Sequence, residues 1–267
     1  MALSLKTVPP LHGAHWVRDG FRLFGRHPLA FSSFFVGFLL AMLVSTLVPV
    51  VGSLVLLAAV PLLSLGFMVV AESALHGGPI HVGLFFSPLT ADPARRRALL
   101  MLCGLYAVGT VLVMVVADAV DDGGLDRLQR MLAEGGRTKE VEALLAQPGF
   151  QAAMALRAAL ITLVSVLFWH APALVHWGSQ SPAQALFSST LAVWRCKGAF
   201  LVYALTWSAM IVVFGTVTSL LLVLLGQLQL LRLVALTGGL ILSTVFYVSL
   251  LFTYVESFGG TREAPAP

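Results

Sequence analysis

An all-α, polytopic membrane fold, a six-span helical bundle with interfacial amphipathic helices, follows from three features of the sequence. Of 267 residues, 58% are apolar and only 10% are charged, whereas an ordinary soluble domain carries about 25% charged residues. The mean hydropathy is +0.94, which leaves a soluble fold nowhere to place its apolar surface. Six apolar runs, at about 29–48, 53–72, 98–117, 158–177, 200–225 and 231–255, each reach the length a helix needs to cross hydrocarbon.

Residues 1–28 form a cytoplasmic N-terminal segment. The stretch HWVRDGFRLFGRHPLAF (15–31) mixes aromatics with Arg18, Arg22 and Arg26, which recur at i, i+4 and i+8 and so share one helical face. A basic face opposite aromatics is what an interfacial helix presents to anionic head groups. Pro28 separates it from the first span. The chain enters the bilayer directly afterwards, so this basic stretch is not read as a nucleic-acid surface. Nor does it have the short apolar region and cleavage site of a secretory signal.

The six-helix membrane domain occupies 29–257. Pro49 and Gly52 mark a tight turn between the first two spans. The third run, ALLMLCGLYAVGTVLVMVVA, is uncharged and holds ten Leu or Val residues, which favour insertion by roughly 3–6 kcal/mol. An outer loop at 118–150 follows, carrying seven of the twelve acidic residues. Within it, LDRLQRMLAE (125–134) and EVEALLAQ (140–147) flank Gly135-Gly136 and predict a short helical hairpin. Asp121, Asp122 and Asp126 lack calcium-loop spacing. Spans five and six join through Gly226 and Gln227. Gly215 in span five and Gly238 and Gly239 in span six, among other small residues, predict a close approach of the two backbones. Residues 258–267 read as a disordered cytoplasmic tail.

Ten lysines and arginines fall on one side of this arrangement and six on the other. The positive-inside rule then places both termini in the cytoplasm. Arg95, Arg96 and Arg97 precede span three, and Arg195 and Lys197 precede span five. With Arg18, Arg22 and Arg26 these form the candidate set for lipid head-group contact.

Short internal matches support three units, at about 11–76, 77–177 and 178–256. LFGRHPLAF (23–31) matches AVWRCKGAF (192–200), with Arg26 and Arg195 in register, and LFFSPL (84–89) matches LFSSTL (186–191). Each unit is an interfacial segment followed by two spans. The opening VPPLHGAHWVRDGFRLFGRHPLAF, with PLLSLGFM (61–68), resembles a family of bacterial inner-membrane proteins of no established activity. That resemblance implies several spans and an inner-membrane location, and carries no site residues. More remotely, an entry helix before each helical pair is similar to the membrane domain attached to some glycerophosphodiester phosphodiesterases. This chain has no room for their catalytic barrel.

No phosphate loop, nucleophile elbow, dinucleotide fingerprint or paired-histidine metal helix is present in the sequence. Cys103 and Cys196 suit neither a disulfide framework nor a metal site. The reading therefore contains no catalytic residues, cofactor or metal. Glu72, at the end of span two, and His170, in FWHAPALVHW, are the candidate intramembrane polar site, expected as a pair on the bundle interior. Arg157 opens span four. All seven histidines fall on the cytoplasmic half.

The expected function is a non-enzymatic multi-pass inner-membrane protein, interacting with membrane lipids through anionic head groups or with a membrane-protein partner or further copies of itself. The alternative is a small-solute or lipid transporter with a cytoplasmic-facing polar pocket, for which Pro61, Pro172 and the glycines would supply helix breaks.

Overall fold

The computed structural model describes residues 5–45, 47–48, 51–90, 92–121, 123–134 and 138–259. Thirteen α-helices run through them: α1 His12–Arg26, α2 Pro28–Ser45, α3 Val51–Leu75, α4 Val82–Phe85, α5 Ser87–Thr90, α6 Pro93–Asp121, α7 Gly124–Ala133, α8 Thr138–Leu145, α9 Pro148–Phe168, α10 Ala171–His176, α11 Pro182–Arg195, α12 Lys197–Leu224 and α13 Leu231–Phe258. Six spans emerge, formed by α2, α3, α6, the α9–α10 pair, α12 and α13.

All six expected spans are found, and two are longer than hydropathy implies. Helix α6 runs on to Asp121 and α9 begins at Pro148, so the connection between spans three and four is shorter than 118–150 at both ends. Isolated polar residues, Asp118 and Asp121 in α6 and Gln151 and Arg157 in α9, interrupt the hydropathy before these helices end, and Phe150 and Ala153 are buried in the added part of α9. That connection holds the expected hairpin as α7 and α8; Gly135 and Gly136 lie outside the described residues. So do Pro49 and all but the first residues of the 258–267 tail. The join between α12 and α13 is a Schellman turn, in which Gly226 at φ 65° frees Gln227 N–H to reach Leu222 C=O at 2.8 Å.

The element order repeats as one or two short helices followed by two spans. The register of the sequence repeat holds, because the break after the entry helix falls at His27 in the first unit and at the matching Cys196 in the third. The units interlock. Helices α4 and α5 pack on α3, α11 packs on α9 and α10, and α1 packs on α12 and α13. Each entry helix thus seats on the unit before it, and the first closes the ring on the last.

The second spans form the core. Leu63 and Leu65–Ala71 of α3, Ala171–Val175 of α10, and Val248–Leu251 with Tyr254 of α13 are all buried near the end where these spans terminate. The first spans are peripheral, with only Phe31 and Phe35 buried in α2. Toward the other end, large side chains such as Leu40, Val212 and Leu236 are exposed. In a bilayer these positions face lipid, where apolar exposure carries no cost.

Helix α1 corrects the expectation that the aromatic side of this interfacial helix faces the bilayer. Its apolar side is packed on protein: Trp16, Val17, Leu23 and Phe24 are buried with Gly13 and Gly20. Taken out of water, large side chains stabilise the docked helix by roughly 1.5–3 kcal/mol each. The close backbone approach expected between spans five and six occurs here instead. A Cβ on Gly13 would strike the Ala199 carbonyl oxygen and lie 2.6 Å from Tyr203 N. Gly238 makes room for the Phe214 ring, while Gly215 and Gly239 have nothing close by.

Candidate functional site

The spans alternate in direction, so the starts of α2, α6 and α12 and the ends of α3, α10 and α13 share one end of the bundle. Lys6 N–H bonds Ser257 C=O at 2.9 Å there, and His12 Nδ1 meets Glu256 Oε2 at 2.8 Å. This end gathers the sequence-predicted basic residues into a rim. Arg18, Arg22 and Arg26 are exposed on α1, opposite its buried face. Arg18 and Arg22 share Asp19, at 3.2 and 3.5 Å. Arg96 and Arg97 are exposed at the start of α6, while Arg95 is half-buried beside the charge environment of His176. Arg195 and Lys197 are exposed at the α11–α12 break.

Helix α11 has the face that α1 lacks. Small residues Ala185, Ser189 and Ala192 turn inward with Cys196. Phe187 at 70%, Leu191 at 39% and Trp194 at 70% exposure form a stripe pointing away from the protein. Lys197 Nζ stands 5.2 Å over the Trp194 ring, a cation–π contact. The signal was legible as small residues alternating with large ones at helical spacing. A search for polar-against-apolar amphipathicity misses it, because both faces are apolar.

Beneath α11 lies a buried polar core. Span four breaks at Trp169–His170, and Pro172 has no N–H to continue the ladder. The bond expected from His170 N–H to Val166 C=O is replaced by a bridge. Ser189 Oγ accepts from His170 N–H at 3.0 Å and donates to Val166 C=O at 3.0 Å. Insertion of a side chain into the ladder is a recognised origin of such breaks. Thr253 Oγ1 donates to Leu250 C=O at 2.8 Å, so it accepts from Trp169 Nε1–H at 3.3 Å and from His170 Nε2 at 3.1 Å. That assigns the imidazole proton to Nε2. Ser189 and Thr253 were not singled out from the sequence, where they are two hydroxyls among many.

Replacing Ser189 with Ala should lower stability by about 2 kcal/mol, because two buried backbone groups lose their partner and the gap closes only in part. His170→Leu removes one bond and leaves Thr253 with two partners, so a loss of about 1 kcal/mol is expected. Thermal unfolding in detergent checks this order.

The expected Glu72–His170 pair is not formed. No hydrogen bond or ion pair joins them among the described residues. His170 is fully enclosed, with Phe200, Tyr254 and Phe258 rings within 6 Å. Glu72 is half-buried near the end of α3, and its charge bears on Tyr254, whose ring lies 5.9 Å from that of His170. Other histidines are engaged locally: His76 Nδ1 meets Glu72 C=O at 2.9 Å, and His81 Nδ1 accepts from Leu84 N–H at 3.1 Å.

At the other end Arg157 ties α9 to α6. Its Nη2 lies 2.7 Å from Asp118 Oδ1 and 3.7 Å from Asp121 Oδ2. Asp121 Oδ2 also accepts from Leu125 N–H at 2.7 Å, anchoring the start of α7. Asp121 therefore works as a cap and ion-pair partner.

Comparison with known proteins adds location. The chain is 34% identical over 266 residues to a protein of Burkholderia thailandensis described as a "probable inner membrane protein", covering 99% of this chain and 97% of the relative. No family model and no solved structure matches it. End-to-end similarity at this identity, joined to six apolar helices arranged as a bundle, makes the chain a multi-pass inner-membrane protein that belongs to the same family as that Burkholderia protein.

Proposed function

We propose that this is a non-enzymatic membrane protein whose basic rim binds anionic lipid head groups of the cytoplasmic leaflet, with both termini in the cytoplasm. One observation carries the reading. The Phe187–Leu191–Trp194 stripe of α11 points away from the bundle beside exposed Arg195 and Lys197. Aromatic and apolar side chains enter the interface while adjacent cations meet the head groups. Each cation near an anionic surface contributes about 1 kcal/mol. Arg18 and Arg22 contribute less, since Asp19 already offsets part of their charge.

The test uses purified full-length protein titrated with phosphatidylglycerol or phosphatidylcholine in mixed micelles. Phosphatidylglycerol should raise the unfolding temperature, and Arg195→Gln with Lys197→Gln should weaken its apparent affinity about thirtyfold, the equivalent of about 2 kcal/mol. Equal stabilisation by the neutral lipid would defeat the reading.

Orientation is tested separately. Both native cysteines are buried, so an impermeant thiol reagent has a low background. A cysteine at Leu132, 64% exposed on α7, should label in intact cells, and one at Ala94 should label only after permeabilisation. The reverse pattern would invert the topology.

A further inference from the structure

One cavity is unrelated to the rim. It opens between α3, α6, α9 and α13, has a volume of about 190 Å³, and is walled by Tyr106, Ser165, Phe168, Trp169, Phe246 and Tyr247, with Pro61 at its edge. Pro61, Tyr106 and Tyr247 each fall near the middle of their helices. The cavity therefore sits at mid-bilayer depth. We propose that it binds a neutral, lipid-soluble ring bearing carbonyl groups, the chemistry of a quinone head group.

The walls select this class by elimination. Among the described residues no Lys, Arg, Asp or Glu lines the cavity, so a charged ligand would be uncompensated in hydrocarbon. The Ser165 and Tyr247 hydroxyls have no hydrogen-bond partner among the described residues. Unpartnered hydroxyls at this depth cost free energy until they meet one.

Water alone is a poor filling. At about 30 Å³ each, roughly six molecules would be needed, each seeking two to four polar partners. The lining hydroxyls of Ser64, Tyr106, Ser165 and Tyr247, of which Ser64 already donates to Pro61 C=O at 2.9 Å, are too few to satisfy them all. An acyl chain would leave the hydroxyls unsatisfied. It also has a better place in the long apolar groove of about 670 Å³ between α2 and α3.

A single ring fits both size and chemistry. An apolar cavity of about 150 Å³ takes up benzene, so about 190 Å³ accommodates one ring with small substituents. Five aromatic side chains offer faces and edges for stacking, while the two hydroxyls donate to ring carbonyls. Trp169 completes the geometry. Its indole N–H is held by Thr253 at 3.3 Å, which fixes the ring as a wall.

The test is binding of a decyl-substituted dimethoxy-methyl-benzoquinone to the full-length protein in detergent, followed by quenching of tryptophan fluorescence, with decylbenzene as the competitor lacking carbonyls. Saturable quenching is expected. Tyr247→Phe with Ser165→Ala should weaken it at least tenfold while leaving the unfolding temperature near that of the parent. Ser165→Phe, which fills the cavity, should abolish it. No saturable binding to the parent protein, equal competition by decylbenzene, or unchanged affinity in the double variant would each overturn the proposal. Loss of phosphatidylglycerol binding at the rim would leave this result untouched.

Discussion

Gly13→Ala should destabilise the bundle by about 3 kcal/mol, at the upper end of the usual cost of overpacking. The added methyl meets backbone atoms of α12, the Ala199 carbonyl and the Tyr203 amide, and neither can rotate aside. Relief requires α1 to lift from α12, and lifting exposes Trp16 and Val17. Gly25, on the same helix, is the control. A Cβ there has nothing within 4 Å, so Gly25→Ala should be neutral or stabilise by about 0.5–1 kcal/mol through helix propensity. Thermal unfolding in detergent separates the two. Equal effects at Gly13 and Gly25 would mean that α1 is not seated against α12.

Arg157→Met is the second large effect, expected to cost about 3–5 kcal/mol. Two carboxylates depend on this guanidinium, and their burial differs greatly. The Asp118 side chain is 65% exposed, whereas that of Asp121 is 2% exposed. Asp118 makes the shorter contact, but water can replace Arg157 there, so Asp118→Asn should cost less than about 1 kcal/mol. Asp121 has no such recourse, and losing Arg157 leaves a buried carboxylate without its cation. Chemical or thermal unfolding of the two variants checks the ranking. A larger loss at Asp118 would reverse the account, making contact distance rather than burial decisive.

Much of the fold was legible because hydrocarbon imposes a length and composition that few other environments demand. Six runs, the helical hairpin at α7 and α8, and the turn at Gly226 are written in local composition. The repeat was also legible, since Arg26/His27 and Arg195/Cys196 mark equivalent breaks. Span ends were less so: Asp118 and Asp121 in α6 and Gln151 and Arg157 in α9 cut the apolar windows short of the helix ends. The candidate site was harder still. Gly13 and Gly20 are the packing residues that complete the stripe of Trp16, Val17, Leu23 and Phe24. Counting only large apolar residues leaves that stripe broken and makes the helix look unpartnered. Glu72 and His170 are both near the same end by depth, but depth does not give the rotation of a helix about its axis. His170 instead bonds Ser189 through its N–H and Thr253 through its ring, with the Tyr254 ring 5.9 Å away. Such roles arise from tertiary placement of ordinary hydroxyls, which no spacing rule distinguishes.

The central claim is that the N-terminal helix closes the ring of three units onto the last span. Cysteines at His12 and Glu256, whose side chains meet at 2.8 Å, test it in intact membranes. The buried native cysteines Cys103 and Cys196 leave the background low. A short bifunctional thiol reagent should join the two positions within one chain, and Gly13→Ala should reduce the yield sharply. Contradiction would come from both positions reacting singly while no cross-link forms, the behaviour of an entry helix lying on the bilayer apart from α13.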